Sequence, residues 1–273
     1  MLSFLPFKSK QFISLISLYS LKKKGEISRI QTIVIDNNQE LLYNIYDRLH
    51  REDRDENGRV LPAIVDDNGK LEWWRNGKLH RSDRENGRIL PTIIIPNGYK
   101  SWYKNGKRHR DERDENGRVL PAMIYRNGDQ DWYKNGKLHR DDRDENGKTL
   151  PAIVDTFGTL KWYRNDRQHR IDVDENGRVL PAVVRDNGTR EWWKKGKLHR
   201  NDRDENGRVL PAAITSDGSL YWYRKGKLHM SDRDENGKVL PAFIGSNGVE
   251  RWARNGKTLS MKGKNGGQME NTV

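Results

Sequence analysis

The sequence predicts an all-β fold: an elongated antiparallel array of β-hairpin repeats with a period of 30 residues. Three observations carry this. The tryptophans Trp73, Trp102, Trp132, Trp162, Trp192, Trp222 and Trp252 follow one another at steps of 29, 30, 30, 30, 30 and 30 residues. A fixed period of this size marks a repeat array, in which each unit contacts mainly its neighbours. Three turn signals recur in nearly every unit: Asp-Asn-Gly as at residues 67–69, Asn-Gly as at 76–77, and Asp-Glu-Asn-Gly before each Leu-Pro. The segments between them are short and rich in β-branched and aromatic residues, and no window of the repeat reads as an amphipathic helix.

The elements follow in order. Residues 61–65, Leu-Pro-Ala-Ile-Val, form a short apolar strand. Residues 67–69 turn the chain, because an Asn-Gly pair tolerates positive φ. Residues 70–75 are the second strand, Asn76-Gly77 the second turn, and 78–81 a third short strand. Residues 83–87 loop back to the next Leu-Pro. Each proline lacks an N–H and therefore sits at a strand start or edge. Repetition of this unit gives consecutive hairpins, a meander that grows by one unit every 30 residues.

Residues 32–51 align without gaps on residues 62–81, with Tyr43 in the Trp place, and form a degenerate entry unit. The array therefore spans 32–260. Residues 1–31 lie outside it. Their run Phe12, Ile13, Leu15, Ile16, Leu18, Tyr19, Leu21 fits a short amphipathic helix with Ser14, Ser17 and Ser20 on its polar side. Such a helix suits the open end of an array, or targeting or docking to a membrane surface. It is too short to span a bilayer, which takes roughly 20 apolar residues, so no transmembrane segment is expected. Residues 261–273 hold too little apolar content to pack and read as a disordered tail.

Composition limits the core. Hydrophobic residues make up 33% of the chain and charged residues another 33%, against about 45–50% and about 25% in an ordinary domain. A thin, repeated core fits this better than one large globule. The two columns expected to fill it are the tryptophans and the Val or Ile three places after each proline: Val65, Ile94, Ile124, Val154, Val184, Ile214 and Ile244. A buried tryptophan removes about 150–250 Å² from water, which at about 25 cal/mol per Å² is several kcal/mol. Cysteine is absent, so no disulfide or thiolate chemistry is available.

The segment Glu72 to Arg81, E-W-W-R-N-G-K-L-H-R, resembles the MORN repeat, with its aromatic strand, its N-G-K turn and its short His-bearing strand. It is more similar still to the W-Y-x-N-G-K-x-H-R…P-A-x-I repeats, called MORN-like, of bacteria and large DNA viruses. The resemblance covers residues 32–260. MORN units are shorter, the Gly after their His is Arg here (Arg81, Arg140), and D-E-N-G-R-V-L is an added turn before Pro-Ala. The resemblance implies an antiparallel β array used for scaffolding, self-association or membrane-proximal binding without catalysis, in the cytoplasm or in association with a virion or host cell.

Three repeated constellations could carry chemistry. All seven histidines stand in one column, and a carboxylate lies three places after each, as in His139 and Asp142. Such pairs can be general bases or metal ligands, but seven equivalent copies point to a repeated structural hydrogen bond, because a catalytic site is one constellation in one pocket.

The loop D-x-D-x-N-G, as in Asp53, Asp55, Asn57, in Asp142, Asp144, Asn146 and in Asp202, Asp204, Asn206, matches the first half of a calcium loop. The bidentate acid twelve positions in is missing, since that place falls on Ile64, and each loop carries its own Arg or Lys. An Asn-Gly turn with solvated charges is the competing reading. No cofactor is expected, with calcium at these loops as the alternative.

The third constellation is basic. Two and five places after each tryptophan stands Arg or Lys: Arg75 and Lys78, Lys104 and Lys107, Lys134 and Lys137, Arg164 and Arg167, Lys194 and Lys197, Arg224 and Lys227. Beside them runs a second aromatic column of Trp74, Tyr103, Tyr133, Tyr163, Trp193 and Tyr223. With a net charge of +13, these columns predict a basic edge that meets something anionic.

The function expected is a non-catalytic repeat scaffold that presents a long charged surface to a protein or an anionic surface. The alternatives are polyanion or nucleic-acid binding through the basic edge, a calcium-stabilised array, and self-association. No phosphate-binding loop, G-x-S-x-G elbow or Cys nucleophile supports an enzyme.

Overall fold

The structure, a computed structural model, describes residues 32–36, 39–43, 48–263 and 268–270. The helix expected within residues 1–31 lies outside them. The described residues are all β. They contain no helix long and apolar enough to cross a membrane. The chain forms two compact units, Met1–Pro96 and Asn97–Val273.

In both units the repeat is the expected sequence of hairpins, with one change in how the strands are used. Each repeat gives two strands to a long antiparallel sheet. Met123–Ile124 pairs with Gln130–Asp131, which pairs with Ile153–Val154, which pairs with Leu160–Lys161, each strand bonding the next in sequence. In the first unit Gln39–Tyr43, Ile64–Val65, Leu71–Glu72 and Ile93–Ile94 pair the same way.

Residues 70–75, read as one strand, are broken at the tryptophan. Leu71–Glu72 stays in the sheet, while Trp74–Arg75 pairs with Lys78–Leu79 in a separate two-stranded hairpin. The cause is local. Trp73 donates its N–H to the Thr92 carbonyl at 3.0 Å, and its own carbonyl accepts the His80 N–H at 3.0 Å. The tryptophan backbone is thus shared between sheet and hairpin. The repeats from Trp73 to Trp222 therefore each carry a hairpin beyond the sheet, and these hairpin tips bear the basic columns; at Trp252 the strand Glu250–Arg254 runs on unbroken and its hairpin stays in the sheet.

The tips are tight two-residue turns with positive φ at both central residues, the type that matches strand twist. Asn135 and Gly136 sit at φ 54° and 84°. Two tips hold a lysine in the left-handed region instead, Lys195 and Lys225, each at φ 53°.

Trp73, Trp102, Trp132, Trp162 and Trp192 are 5–6% exposed, so these five tryptophans are core, while Trp222 and Trp252 toward the C-terminal end are half-buried. The Val/Ile column is not: all seven residues from Val65 to Ile244 are only half-buried. They end their two-residue strands beside the exposed Asp-Asn-Gly turn, where one side of the side chain stays wet. The fully buried column lies two places earlier. Ala63, Ala122, Ala152, Ala182, Ala212 and Ala242 are 0–1% exposed. Their backbones bond on both sides, as where Ala122 donates to Asp131 (2.9 Å) and accepts from Trp102 (2.9 Å).

At the C-terminal end the strand Lys257–Lys262 runs past residue 260 and pairs with Gln268–Glu270. Strand pairing thus continues into the segment read from composition as an unpacked tail.

Candidate functional site

Each repeat has two polar sides, and its charges are used differently on each. On the loop side an arginine, absent from the sequence-based candidates, organises everything. Arg140 lies over the Trp132 ring, its guanidinium carbon 4.0 Å from the centroid. Its Nε donates to Asp142 Oδ2 at 3.2 Å and its Nη1 to the Pro151 carbonyl at 3.3 Å. Asp142 in turn accepts the Val119 N–H at 2.9 Å and Arg113 Nη1 at 3.1 Å, both from the preceding repeat. The Trp132 indole donates to the Val119 carbonyl at 2.7 Å. Arg81 on Trp73, Arg110 on Trp102, Arg170 on Trp162 and Arg200 on Trp192 stack at 3.7–4.0 Å.

A guanidinium, a carboxylate and an indole thus clamp consecutive repeats together, with the buried charges of Arg140 and Asp142 hydrogen-bonded as burial requires. Burial holds Arg140 below its usual value, with Asp142 opposing the shift. Burial alone would raise the Asp172 carboxyl, but hydrogen bonds from Arg170 and Thr149 hold it below the usual carboxylate range. The sequence did carry a signal for this clamp, an Arg eight places after each of the first five tryptophans.

This clamp changes the reading of both loop-side constellations. The carboxylate three places after each histidine belongs to the arginine. The histidine instead accepts a backbone N–H of the next hairpin on Nδ1: His109 from Asn135 (3.2 Å), His139 from Asn165 (3.3 Å), His229 from Asn255 (3.1 Å). Nε2 of His109 and His139 meets the carboxylate two places on, Asp111 and Asp141, at 3.3 and 3.4 Å.

In the D-x-D-x-N-G loops the first aspartate is the clamp carboxylate. The second folds into its own turn, as where Asp144 Oδ1 accepts the N–H groups of Asn146 (3.0 Å) and Lys148 (2.8 Å). Asp55 and Asp204 do the same with Asn57 and Asn206, while Asp202 accepts Arg200 and the Val179 N–H. A cation would have to displace these donors. Asp53 is the more open member, 3.4 Å from Arg51 with half its side chain exposed. Among the described residues no three His, Asp or Glu side chains converge as a metal-ligand group.

The tip side is the opposite case. All twelve basic residues named above are exposed, and the register sets them directly opposite one another as like-charged pairs: Arg75–Lys78, Lys104–Lys107, Lys134–Lys137, Arg164–Arg167, Lys194–Lys197 and Arg224–Lys227. Among the described residues two of the twelve hold an ion pair, Lys104 with Asp111 at 3.1 Å and Lys134 with Asp141 at 2.9 Å. Like charges facing across a hairpin destabilise it.

Within the second unit neighbouring tips are fixed to one another. Gly136 donates its N–H to the Arg108 carbonyl at 2.8 Å, and Gly196, Gly226 and Gly256 bond the preceding hairpin likewise at 2.9 Å. The Lys107 stem lies over Gly136, so that a Cβ there would sit 3.5 Å from it. One acid intrudes: Asp166 takes the glycine place in its turn and bonds back to the Leu138 N–H at 2.8 Å. Since each repeat adds two strands, equivalent residues recur about 9–10 Å apart along the sheet. That is within about one Debye length at moderate salt, so neighbouring tips add their fields.

The outer aromatic column is half-buried at all six positions. Trp74 and Trp193 donate their indole N–H to Glu72 and Glu191 at 2.7 and 2.8 Å. Arg108 donates to the Tyr103 hydroxyl at 2.9 Å and lies 5.4 Å from the Tyr133 ring. The column therefore supports the tips and shows only part of each ring. No protein-family model matches this chain, and no curated protein matches it.

Proposed function

We propose that this chain is a non-catalytic repeat scaffold, of the MORN-like kind its sequence resembles, that binds an anionic surface through the row of basic hairpin tips. One observation carries the reading: each of the six hairpin tips from Arg75–Lys78 to Arg224–Lys227 opposes two exposed cations in register, an arrangement of like charges that is unfavourable and yet recurs. A solubilising edge needs charge, but it does not need like charges face to face. The loop side speaks against catalysis, because its histidines and aspartates are occupied by backbone and arginine donors.

Binding of this kind draws its strength from repetition, since each exposed Lys or Arg adds little and a rigid row adds many. Fluorescence anisotropy with heparin and with a short DNA duplex, at two salt concentrations, tests it. Lys137→Ala is expected to change binding less than about twofold, one contact among many. Replacing Lys134, Lys137, Arg164, Arg167, Lys194 and Lys197 together by Ala is expected to weaken binding sharply and to flatten the salt slope by about one unit per lost phosphate contact. Stability is expected to hold within about 0.5 kcal/mol per site, as for surface substitutions. If the wild-type chain binds neither probe at low salt, the proposal falls.

A further inference from the structure

One repeat departs from the others where the fold gives no reason for it. Two places after the histidine the other repeats carry Glu52, Ser82, Asp111, Asp141, Asn201 or Ser231, but this repeat carries Ile171, which is 56% exposed. Four places after, the others carry arginine (Arg54, Arg84, Arg113, Arg143, Arg203, Arg233), but here Val173 stands, 38% exposed.

The change has a measurable cost. Arg113 and Arg143 reach the clamp aspartate of the next repeat at 3.1 and 3.4 Å, and Val173 cannot. Asp202, which lacks that partner, has a side chain 15% exposed, against 5% for Asp142 and 3% for Asp172. An ion pair between repeats has been given up and an isoleucine placed in water. Surface isoleucines are ordinary one at a time, but this one borders a groove.

The groove, about 190 Å³, lies between this repeat and the next, with Ile171, Val179, Trp192 and Trp193 as its apolar lining and Arg170 and Lys194 among its polar residues. Val179 is also the bridge partner of Val173. A cavity of about 150 Å³ lined by apolar side chains accommodates benzene, so there is room for one aromatic ring. The equivalent groove one repeat on keeps an apolar lining of Val209, Leu210, Trp222, Tyr223 and Met230, but Asn201 stands at its mouth in the place of Ile171, with Arg203 in the place of Val173. The tips on either side carry Arg164, Arg167, Lys194 and Lys197, all exposed.

We infer that this groove is the anchor site for an acidic peptide segment of a partner protein: one aromatic side chain seats between Ile171 and Trp193, and flanking carboxylates meet the neighbouring basic tips. The inference rests on the anionic-surface reading above and adds to it one specific register along an otherwise repetitive surface. Repetition supplies affinity, and the departure from it supplies position, as a single anchor among near-neutral contacts does at other interfaces.

The test uses the full chain and two fluorescent peptides, one of alternating Glu and Asp with a central Phe, the other with Ala at that place. The double variant Ile171→Ser with Val173→Arg restores the residues found at Ser82 and Arg84, so it is expected to fold with a melting temperature at least as high as that of the wild type. The wild type is expected to bind the Phe peptide about tenfold more tightly than the Ala peptide, the factor for partial burial of one aromatic side chain. The double variant is expected to bind both alike, at the wild-type affinity for the Ala peptide, and to bind heparin as the wild type does.

Equal wild-type affinities for the two peptides overturn the anchor while leaving the basic surface standing. Preference for Phe that persists in the double variant also overturns it. Binding of neither peptide at low salt overturns it, and the heparin measurement then reports separately on the basic tips. A wild type that sediments as a dimer, with the double variant a monomer, makes the groove a self-association surface and overturns the peptide proposal.

Discussion

The loop side and the tip side of a repeat hold similar residues and do opposite work. Arg140 and Asp142 on the loop side are 9% and 5% exposed at their side chains, bonded to each other, to a ring and to two repeats. Lys134 and Lys137 on the tip side are exposed and face each other. A charge that the fold buries must be satisfied by the fold, and losing a partner strands it. A charge left in water carries no such obligation and is available to a ligand. Substitutions should therefore divide, with the loop-side clamp governing stability and the basic tips governing binding to an anionic surface.

The largest expected effect tests the core under the clamp. Trp162→Ala is expected to destabilise the chain by about 3–5 kcal/mol, as for a buried aromatic, read from urea unfolding of the full chain. A neutral result would make the tryptophan column a surface and erase the distinction between the two sides. Asp142→Ala comes next. It removes the acceptor of Arg140, Arg113 and the Val119 N–H together, and a loss of about 2–4 kcal/mol is expected, as when one partner of a buried, bonded charge is removed. The two broken clamps already present show the direction. Asp202 lacks the arginine that Val173 replaces, and Asp232 lacks the one that Met230 replaces; both side chains are 15% exposed instead of 3–5%.

Acid should act between the two sides, at the histidines that join one hairpin to the next. Burial, reinforced by Arg164, Lys194 and Lys195, holds His169 below the usual imidazole value. Burial with Lys194 and Arg224 does the same for His199, and burial with Arg224 and Arg254 for His229. A folded value below the unfolded one means that the folded state binds the proton less readily. The stabilisation is therefore complete above about pH 6.5, the unfolded value, and fades as pH falls from there toward the lowered folded values. Protonation also removes the Nδ1 lone pair that accepts the next hairpin's N–H. Urea midpoints are expected to fall steadily between about pH 7 and pH 5; a flat profile would show that these bonds do not hold the tips in place.

The smallest expected effect is that of calcium. The loop aspartates of this comparison already accept backbone and arginine donors, so melting temperatures with millimolar calcium and with chelator are expected to agree within about 1 °C. A rise of several degrees that Asp144→Ala abolishes would move these loops to the functional side.

The sequence by itself determined what repetition and local chemistry can determine. The 30-residue period of the tryptophans, the Asn-Gly turns and the missing helical pattern gave the antiparallel hairpin array, because each of these acts within a few residues of chain. The pairing of basic residues across each tip was equally legible, since a two-residue turn sets which positions face each other. Only the tertiary structure decided which charges the fold consumes. Arg140 looked like a departure from a family pattern, and His139 and Asp142 looked like a pair. The Trp132 ring under Arg140 lies 8 residues away along the chain, and the partners that His139 and Asp142 find in neighbouring repeats lie 23 to 29 residues away. Alanine, too small to attract notice in the sequence, is the most buried column because its backbone bonds strands on both sides. Burial and hydrogen-bond saturation are properties of packed neighbours, and no spacing within one repeat specifies them.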